Sequence, residues 1–165
     1  MAYFIIIRGT SSVGKSTISK ELAKKIKARV YHYDRIMKGF GFNYIPGEKW
    51  IPLEKFLKAD GIMIPKFRDR LKKGENLILD GNFYHKKQID NLIKELDFKH
   101  FVFTLHASLD ECVKRNFERG GKMAKEVIKE VFDVMPEYDY GINIETDDKS
   151  SKDVVEEIKS KILNS

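Results

Sequence analysis

A chain of 165 residues, 42% apolar and 34% charged, is long enough for one domain with a real core, and this composition excludes a disordered or fibrous protein. Lys and Arg number 31 against 25 Asp and Glu, and the resulting net charge of +6 favours anionic partners such as phosphates, nucleotides or nucleic acid, although interspersed Lys and Glu also describe an ordinary solvated surface. The longest clean apolar run, Met1 to Ile7, is too short to cross a bilayer, no leader pattern is read, and the single Cys112 rules out an internal disulfide and CxxC zinc sites, so a cytoplasmic chain with no membrane contact is expected.

In chain order, residues 3–7 (Tyr-Phe-Ile-Ile-Ile) form an uninterrupted β-branched and aromatic run, the pattern of a strand buried on both faces. Residues 16–27 follow as a helix with Ile18, Leu22 and Ile26 at helical spacing. Residues 29–33 are a second strand and 77–79 a third. Residues 36–73 are the least regular, with Gly39, Gly41, Pro46, Gly47, Pro52 and Pro65. Residues 86–96 are helical, 101–106 a fourth strand, and 109–118 a helix capped by Ser108. A strand at 142–145 and a helix at 151–163 complete the pattern. Strands alternating with helices predict an α/β fold, a five-stranded parallel sheet between two helical layers, with ligands at the carboxyl ends of its strands.

The stretch Gly9-Thr10-Ser11-Ser12-Val13-Gly14-Lys15-Ser16 fits G-x-x-x-x-G-K-[ST], between a predicted strand and a predicted helix. Glycines let the backbone curl its N–H groups into an anion cradle, and the helix amino end adds partial positive charge. Lys15 supplies a cation for the β- and γ-phosphates, Ser16 a ligand for Mg²⁺, and Thr17 a contact to an inner phosphate oxygen. The GTPase signatures D-x-x-G and N-K-x-D are absent, which leans the nucleotide toward ATP. Small size and one phosphate loop favour a kinase of a small or modest acceptor.

Asp34 directly follows the second strand, where a carboxylate can take the proton of an attacking hydroxyl; the same position also allows a helix cap. Arg35 and Lys38 suggest that the acceptor is itself anionic. Asp80 ends an apolar strand in the Walker B manner and could hold Mg²⁺ through water or orient the acceptor, with Asn82 and Tyr84 near the substrate. Arg115 and Arg119 share one helix face, one placed to stack on a base and the other to reach the transferring phosphoryl group; Gly120-Gly121 then provides a hinge for a lid. His32 and Tyr33 read as packing residues. The aromatics Phe40, Phe42, Tyr44, Trp50 and Phe56 could form a stacking wall, but packing of a helical subdomain is favoured. Five basic residues against two acidic ones in 60–73 read as a solvated helix rather than a phosphate groove, and Cys112 as a packed thiol.

These residues resemble the P-loop small-molecule and polynucleotide kinases, an AAA-type ATPase-like group that includes adenylate, shikimate, gluconate and polynucleotide kinases and chloramphenicol phosphotransferase. The likeness runs through Gly9 to Thr17, Tyr33-Asp34-Arg35, residues 74–81 and the R-x-x-x-R pair of 112–119. It implies a P-loop kinase fold over 1–165 with an acceptor-binding segment at about 35–73 and a short lid at about 115–135. ATP would lie on Gly9 to Thr17 and Arg115, with Lys15, Asp34, Arg115 and Arg119 catalytic. Asp34, Arg35, Lys38, Asp80 and Asn82 would meet the acceptor, and Ser16 and Asp80 the metal. The Asp-x-Asp of shikimate kinases is missing, with His32 in its first place, and Ser11 and Ser12 replace the Pro and Gly of the adenylate kinase loop. The expected reaction passes the γ-phosphoryl group of ATP to a hydroxyl on a small phosphate-bearing or nucleic-acid-like acceptor, including a nucleic-acid end. The alternatives are a nucleoside monophosphate kinase and an ATP-binding regulator with slow hydrolysis.

Overall fold

The computed structural model describes residues 1–134 and 138–165. Its centre is β1 (Tyr3–Gly9), in which Phe4, Ile5, Ile6 and Ile7 have no solvent exposure. A strand apolar on both faces must be covered on both, and the sheet arranges this with the order β2-β3-β1-β4-β5, every pair parallel. The other strands are β2 (Ala28–His32), β3 (Asn76–Gly81), β4 (Lys99–His106) and β5 (Ile142–Glu145). One face packs on α1 (Lys15–Ile26), α5 (Leu109–Glu118), α6 (Lys125–Val134) and α7 (Ser151–Leu163), through Leu22, Cys112, Ile128 and Ile158. The other packs on α2 (Tyr33–Gly39), α3 (Leu53–Lys72) and α4 (Lys86–Leu96), through Met37, Phe67 and Leu92. The expected three-layer α/β sandwich is the observed one.

Helix ends follow the sequence chemistry. Ser108 accepts from the Glu111 amide, and Ser150 forms a capping box with Asp153. By contrast, α1 starts after Gly14 with no side-chain cap and no acid in its first turn.

Two expectations change. Tyr33 opens α2 rather than closing β2. The irregular-looking 36–73 segment contains a 20-residue helix, α3, with Pro65 inside it; the helix expected over 60–73 is present but longer, and it is a core helix rather than a solvated one. Pro65 removes one helical hydrogen bond, to Gly61, but both residues lie on the exposed side where water can serve the freed carbonyl. The buried series Phe56, Ala59, Met63, Phe67 and Leu71 holds the helix against the sheet. α6 was not read from the sequence either, although Val127, Ile128 and Val131 carry helical spacing. Among the described residues no helix is long and apolar enough to cross a membrane.

Gly141, just before β5, has φ +75°, and a Cβ there would stand 2.3 Å from the Val102 carbonyl oxygen. Gly141→Ala therefore combines left-handed strain with a backbone clash and should cost about 2–4 kcal/mol. Urea denaturation checks this; a midpoint shift equivalent to less than about 0.5 kcal/mol would refute the close approach.

Candidate active site

The register aligns the carboxyl ends of three strands: Ile7 faces Asp80, and His32 faces Asp80 from the other side. The phosphate loop leaves β1 at Gly9, where any Cβ would lie 2.8 Å from the Leu105 carbonyl oxygen and 2.9 Å from Val13 Cγ1. Ser12 and Gly14 adopt positive φ (66° and 104°), the curl that turns successive N–H groups inward. Val13 is buried in the core and anchors the loop, while Thr10, Ser11 and Ser12 are nearly buried. The Lys15 ammonium donates to the carbonyls of Gly9 (2.9 Å) and Thr10 (2.7 Å). Burial pushes its pKa down, and the carboxylates of Asp34 and then Asp80 push it back up.

A cavity of about 140 Å³ opens against this loop, lined by Lys15, Ser16, Thr17, Asp34, Asn82 and Arg119 among others. Arg119 donates to Ser12 Oγ at 2.7 Å. Arg115 is fixed by Glu111 (2.9 Å), the Val13 carbonyl (3.0 Å) and the hydroxyl and carbonyl of Thr146 (3.1 Å each), tying the phosphate loop to the segment after β5. Both arginines border a second cavity of about 350 Å³ with Val13, Ile18, Lys149 and Val154, which does not include Asp34 in its lining. Burial raises the Cys112 thiol pKa, consistent with packing.

Asp34 sits in the first turn of α2, and the helix has no side-chain cap, so the capping alternative finds no hydrogen bond. Its two predecessors are each tied to a buried carboxylate. His32 Nδ1 lies 2.9 Å and 2.8 Å from the two oxygens of Asp80. The Tyr33 hydroxyl donates to Asp60 Oδ1 at 2.8 Å, joined by Gln88 Nε2 at 3.2 Å. Tyr33 also packs over Gly81, where a Cβ would meet the Tyr33 Cβ at 3.0 Å. From the sequence pattern His32 and Tyr33 read only as packing residues, and Asp60 carries no role there.

The remaining candidates separate. Asn82 and Tyr84 line the cavities beside Asp34, and Lys38 borders one of them. Arg35 is exposed and borders none of these cavities. Asp80 engages His32, and its charge also bears on Lys15. The aromatic segment divides: Phe56 is buried packing, whereas Tyr44 and Trp50 line a cavity of about 290 Å³ with Ile51, Tyr84, Met123 and Val131, which shares Ser11, Asp34 and Asn82 with the phosphate-loop cavity. Trp50 stacks on Tyr84 with ring centroids 5.8 Å apart, and the Tyr84 hydroxyl holds the Ile51 amide at 2.9 Å. Burial raises the Tyr84 pKa to about 12 against the lowering effect of that hydrogen bond, with Asp34 a further raising charge.

ATP and Mg²⁺ can be tested against this chemistry. An uncapped helix end, inward amides, a lysine ammonium and the buried, partnerless Thr10 hydroxyl suit a polyphosphate. No group of three or more His, Cys, Asp or Glu side chains among the described residues forms a metal cage. The Ser16 hydroxyl on the phosphate-loop cavity is the residue that would hold Mg²⁺, which typically takes one or two protein ligands and completes its shell with phosphate and water.

A family model for an AAA domain matches residues 4–138. The chain belongs to that family. It is 34% identical to an L-seryl-tRNA(Sec) kinase of Methanococcus maripaludis over 78% of its own length, and spans about half of that relative (51%). It is 28% identical to a guanylate kinase of Clostridioides difficile, over 96% of this chain and 89% of that one. A solved sugar kinase from a Janibacter species superposes with a TM-score of 0.78 at 14% identity, covering 98% and 95% of the two chains, a likeness of fold alone. The chain is thus a nucleotide-binding P-loop kinase, a phosphotransferase.

Asp60 supplies a pH-dependent test of the Tyr33 anchor. Burial raises its pKa to about 6, although hydrogen bonds from Tyr33, Gln88 and Asn91 pull the other way. The folded chain holds this proton more tightly than the unfolded one. The group's stabilising contribution is therefore full below about pH 4 and lost as pH rises through about 6. Asp60→Asn keeps an acceptor for Tyr33 and removes the titration. Urea unfolding at pH 4.5 and 7.5 should show the wild-type chain losing about 2 kcal/mol relative to this variant. Parallel curves would place the Asp60 pKa in the ordinary range.

Proposed function

We propose that this kinase transfers the γ-phosphoryl group of ATP to a hydroxyl of a small or nucleic-acid-borne acceptor. The observation that carries the reading is the shared cavity: Lys15, Ser16 and Arg119 of the phosphate site and the carboxylate of Asp34 border one space. The acceptor oxygen attacks γ-phosphorus, its proton passes to Asp34, and the bond to the bridging oxygen breaks to release ADP. Lys15 and Arg119 meet the charge that develops on the transferring group, and Arg115 frames the nucleotide's base beside the segment after β5. Ser16 is the metal ligand in this reading, and Mg²⁺ supplies charge neutralisation of the phosphates when bound. Asp80 acts one step back, through His32, on the junction that presents Asp34.

A hydroxyl acceptor is favoured over a nucleoside monophosphate because a phosphate acceptor needs no base, whereas Asp34 stands on the cavity. The name of the M. maripaludis relative, a kinase of seryl-tRNA, supports a hydroxyl acceptor and leaves a nucleic-acid-borne one open. The guanylate kinase relative supports the competing reading.

The test is transfer of label from γ-labelled ATP with Mg²⁺ into a panel of nucleosides, nucleoside monophosphates, 5′-hydroxyl oligonucleotides, sugars and alcohols. Lys15→Ala should abolish incorporation, and Asp34→Asn should slow it by about 10²–10⁴-fold. Label in a nucleoside monophosphate with Asp34→Asn as active as wild type would replace this reading with a monophosphate kinase. Release of free phosphate alone, unaffected by the panel, would indicate an ATP-hydrolysing regulator.

A further inference from the structure

Among the described residues, Asp34 and Asn82 are the two that border all three cavities at the acceptor end of the sheet. Asp34 follows a junction fixed by His32 and Tyr33. Asn82 is held differently. Its side chain makes no hydrogen bond with a described residue, so its amide is free to meet a ligand. Its position comes from the next residue, Phe83, at φ 47°, a left-handed conformation that an L side chain adopts only where its surroundings impose it.

The Phe83 ring packs on Tyr33 with centroids 4.9 Å apart and lies close to Gly81. The Phe83 carbonyl accepts a hydrogen bond from the Tyr138 hydroxyl. Burial raises the Tyr138 pKa to about 12 against the lowering effect of Arg8, so the phenol keeps its proton and donates. The Tyr138 ring is held in turn by the Arg8 guanidinium, 4.2 Å from its centroid. Arg8 has no solvent exposure and donates to Thr104 Oγ1 at 3.1 Å, while its Nε and Nη2 have no partner. A cation buried with so few hydrogen bonds depends on the ring face for its compensation, and that fixes the ring. Thr104 also donates to the Tyr140 carbonyl at 2.7 Å, and the Tyr140 hydroxyl donates to Asp90 at 2.8 Å, so the chain between α6 and β5 is pinned at both tyrosines. Tyr138 borders none of the three acceptor cavities; it lines a separate one with Gly9, Thr104 and Asn143.

We infer that Tyr138 is a positioning residue for the acceptor: its hydroxyl, backed by Arg8, locks the turn after β3 in the conformation that sets the Asn82 amide beside Asp34. This role rests on the acceptor lying against Asp34, and it deepens that reading. The Asn82 amide, which both donates and accepts, meets a polar group of the acceptor next to the reacting oxygen. Tyr138 follows α6 in the chain, so the hydrogen bond also ties the segment after α6 to the acceptor turn. Without that bond the turn relaxes from its strained φ. A smaller fraction of molecules then presents Asn82, and the apparent affinity for the acceptor falls by that fraction.

Tyr138→Phe keeps the ring on Arg8 and removes only the hydroxyl. The first readout is steady-state transfer from ATP with Mg²⁺ to whichever compound of the panel takes label. Tyr138→Phe should raise the KM for that acceptor about fivefold, the effect of one hydrogen bond, with kcat and the KM for ATP unchanged. Asn82→Ala should raise it about tenfold or more, and the double variant should be no worse than Asn82→Ala alone, because Tyr138 acts through Asn82. Increases that multiply in the double variant, a wild-type KM in Tyr138→Phe, or an equal rise in the KM for ATP would each overturn the role. The second readout needs no acceptor. The chain's one tryptophan, Trp50, stacks on Tyr84, the residue after Phe83. Tyr138→Phe should shift its emission to the red and strengthen quenching by acrylamide, whereas Asn82→Ala should do neither. Emission and quenching unchanged in Tyr138→Phe would also overturn the role. The two readings fail separately. Label in a nucleoside monophosphate removes the hydroxyl reading, and the same pair of variants measured on that acceptor still decides the role of Tyr138. With label in no compound, the fluorescence of Trp50 decides it.

Discussion

The site is organised around a lysine ammonium drawn out of bulk water at the end of the central strand. Lys15 loses hydration there, and the loop answers with its own carbonyls, Gly9 and Thr10, at 2.9 Å and 2.7 Å. Those two carbonyls are available only because Gly9 lets the chain pass close to Leu105. The negative charges that also bear on the ammonium, Asp34 and Asp80, come from the ends of β2 and β3. One half-buried cation thereby gathers the ends of three strands: β1 delivers the loop, β3 delivers Asp80, and Asp34 follows β2 in the first turn of α2.

The β2–α2 junction shows how that constraint is met with few residues. His32 ends the strand on Asp80, and Tyr33 opens the helix on Asp60, so Asp34 follows two side chains that are both fixed. Asp60 comes from the middle of α3, which gives that helix a second task beyond covering the sheet. A carboxylate with no exposure is costly, and its raised pKa expresses that cost. The same low-dielectric setting strengthens its bond to Tyr33.

Much of this was legible in the sequence. The five strands, the helices at 86–96, 109–118 and 151–163, the Ser108 cap and the phosphate loop are local signals: spacing, capping chemistry and a motif whose neighbours fit. The second half of α3 is legible as a helix at 60–73, but its start at Leu53 and its buried face were hidden because Gly61 and Pro65 look like breakers, and only its docking shows that both face water. The His32–Asp80 and Tyr33–Asp60 pairs join residues 48 and 27 positions apart, and no local pattern announces them. Asp34 and Asn82 could be picked out because they follow strands on the ligand side of the sheet. The aromatic segment could not be resolved without the fold: Phe56 and Trp50 differ little as residue types, and only position makes one core and the other a wall.

The taper of the sheet has a consequence for the chain's behaviour in concentrated solution. Its three inner strands have six to eight residues, while the edges β2 and β5 have only five and four. The edges also carry polar, exposed side chains, Arg29 on one and Asn143 and Glu145 on the other. Residues 4–7, the run best suited to template intermolecular strand pairing, are locked in the middle of the sheet. Short, charged borders offer little ladder for another copy to extend, so the fold keeps its stickiest sequence away from every edge at which aggregation could start.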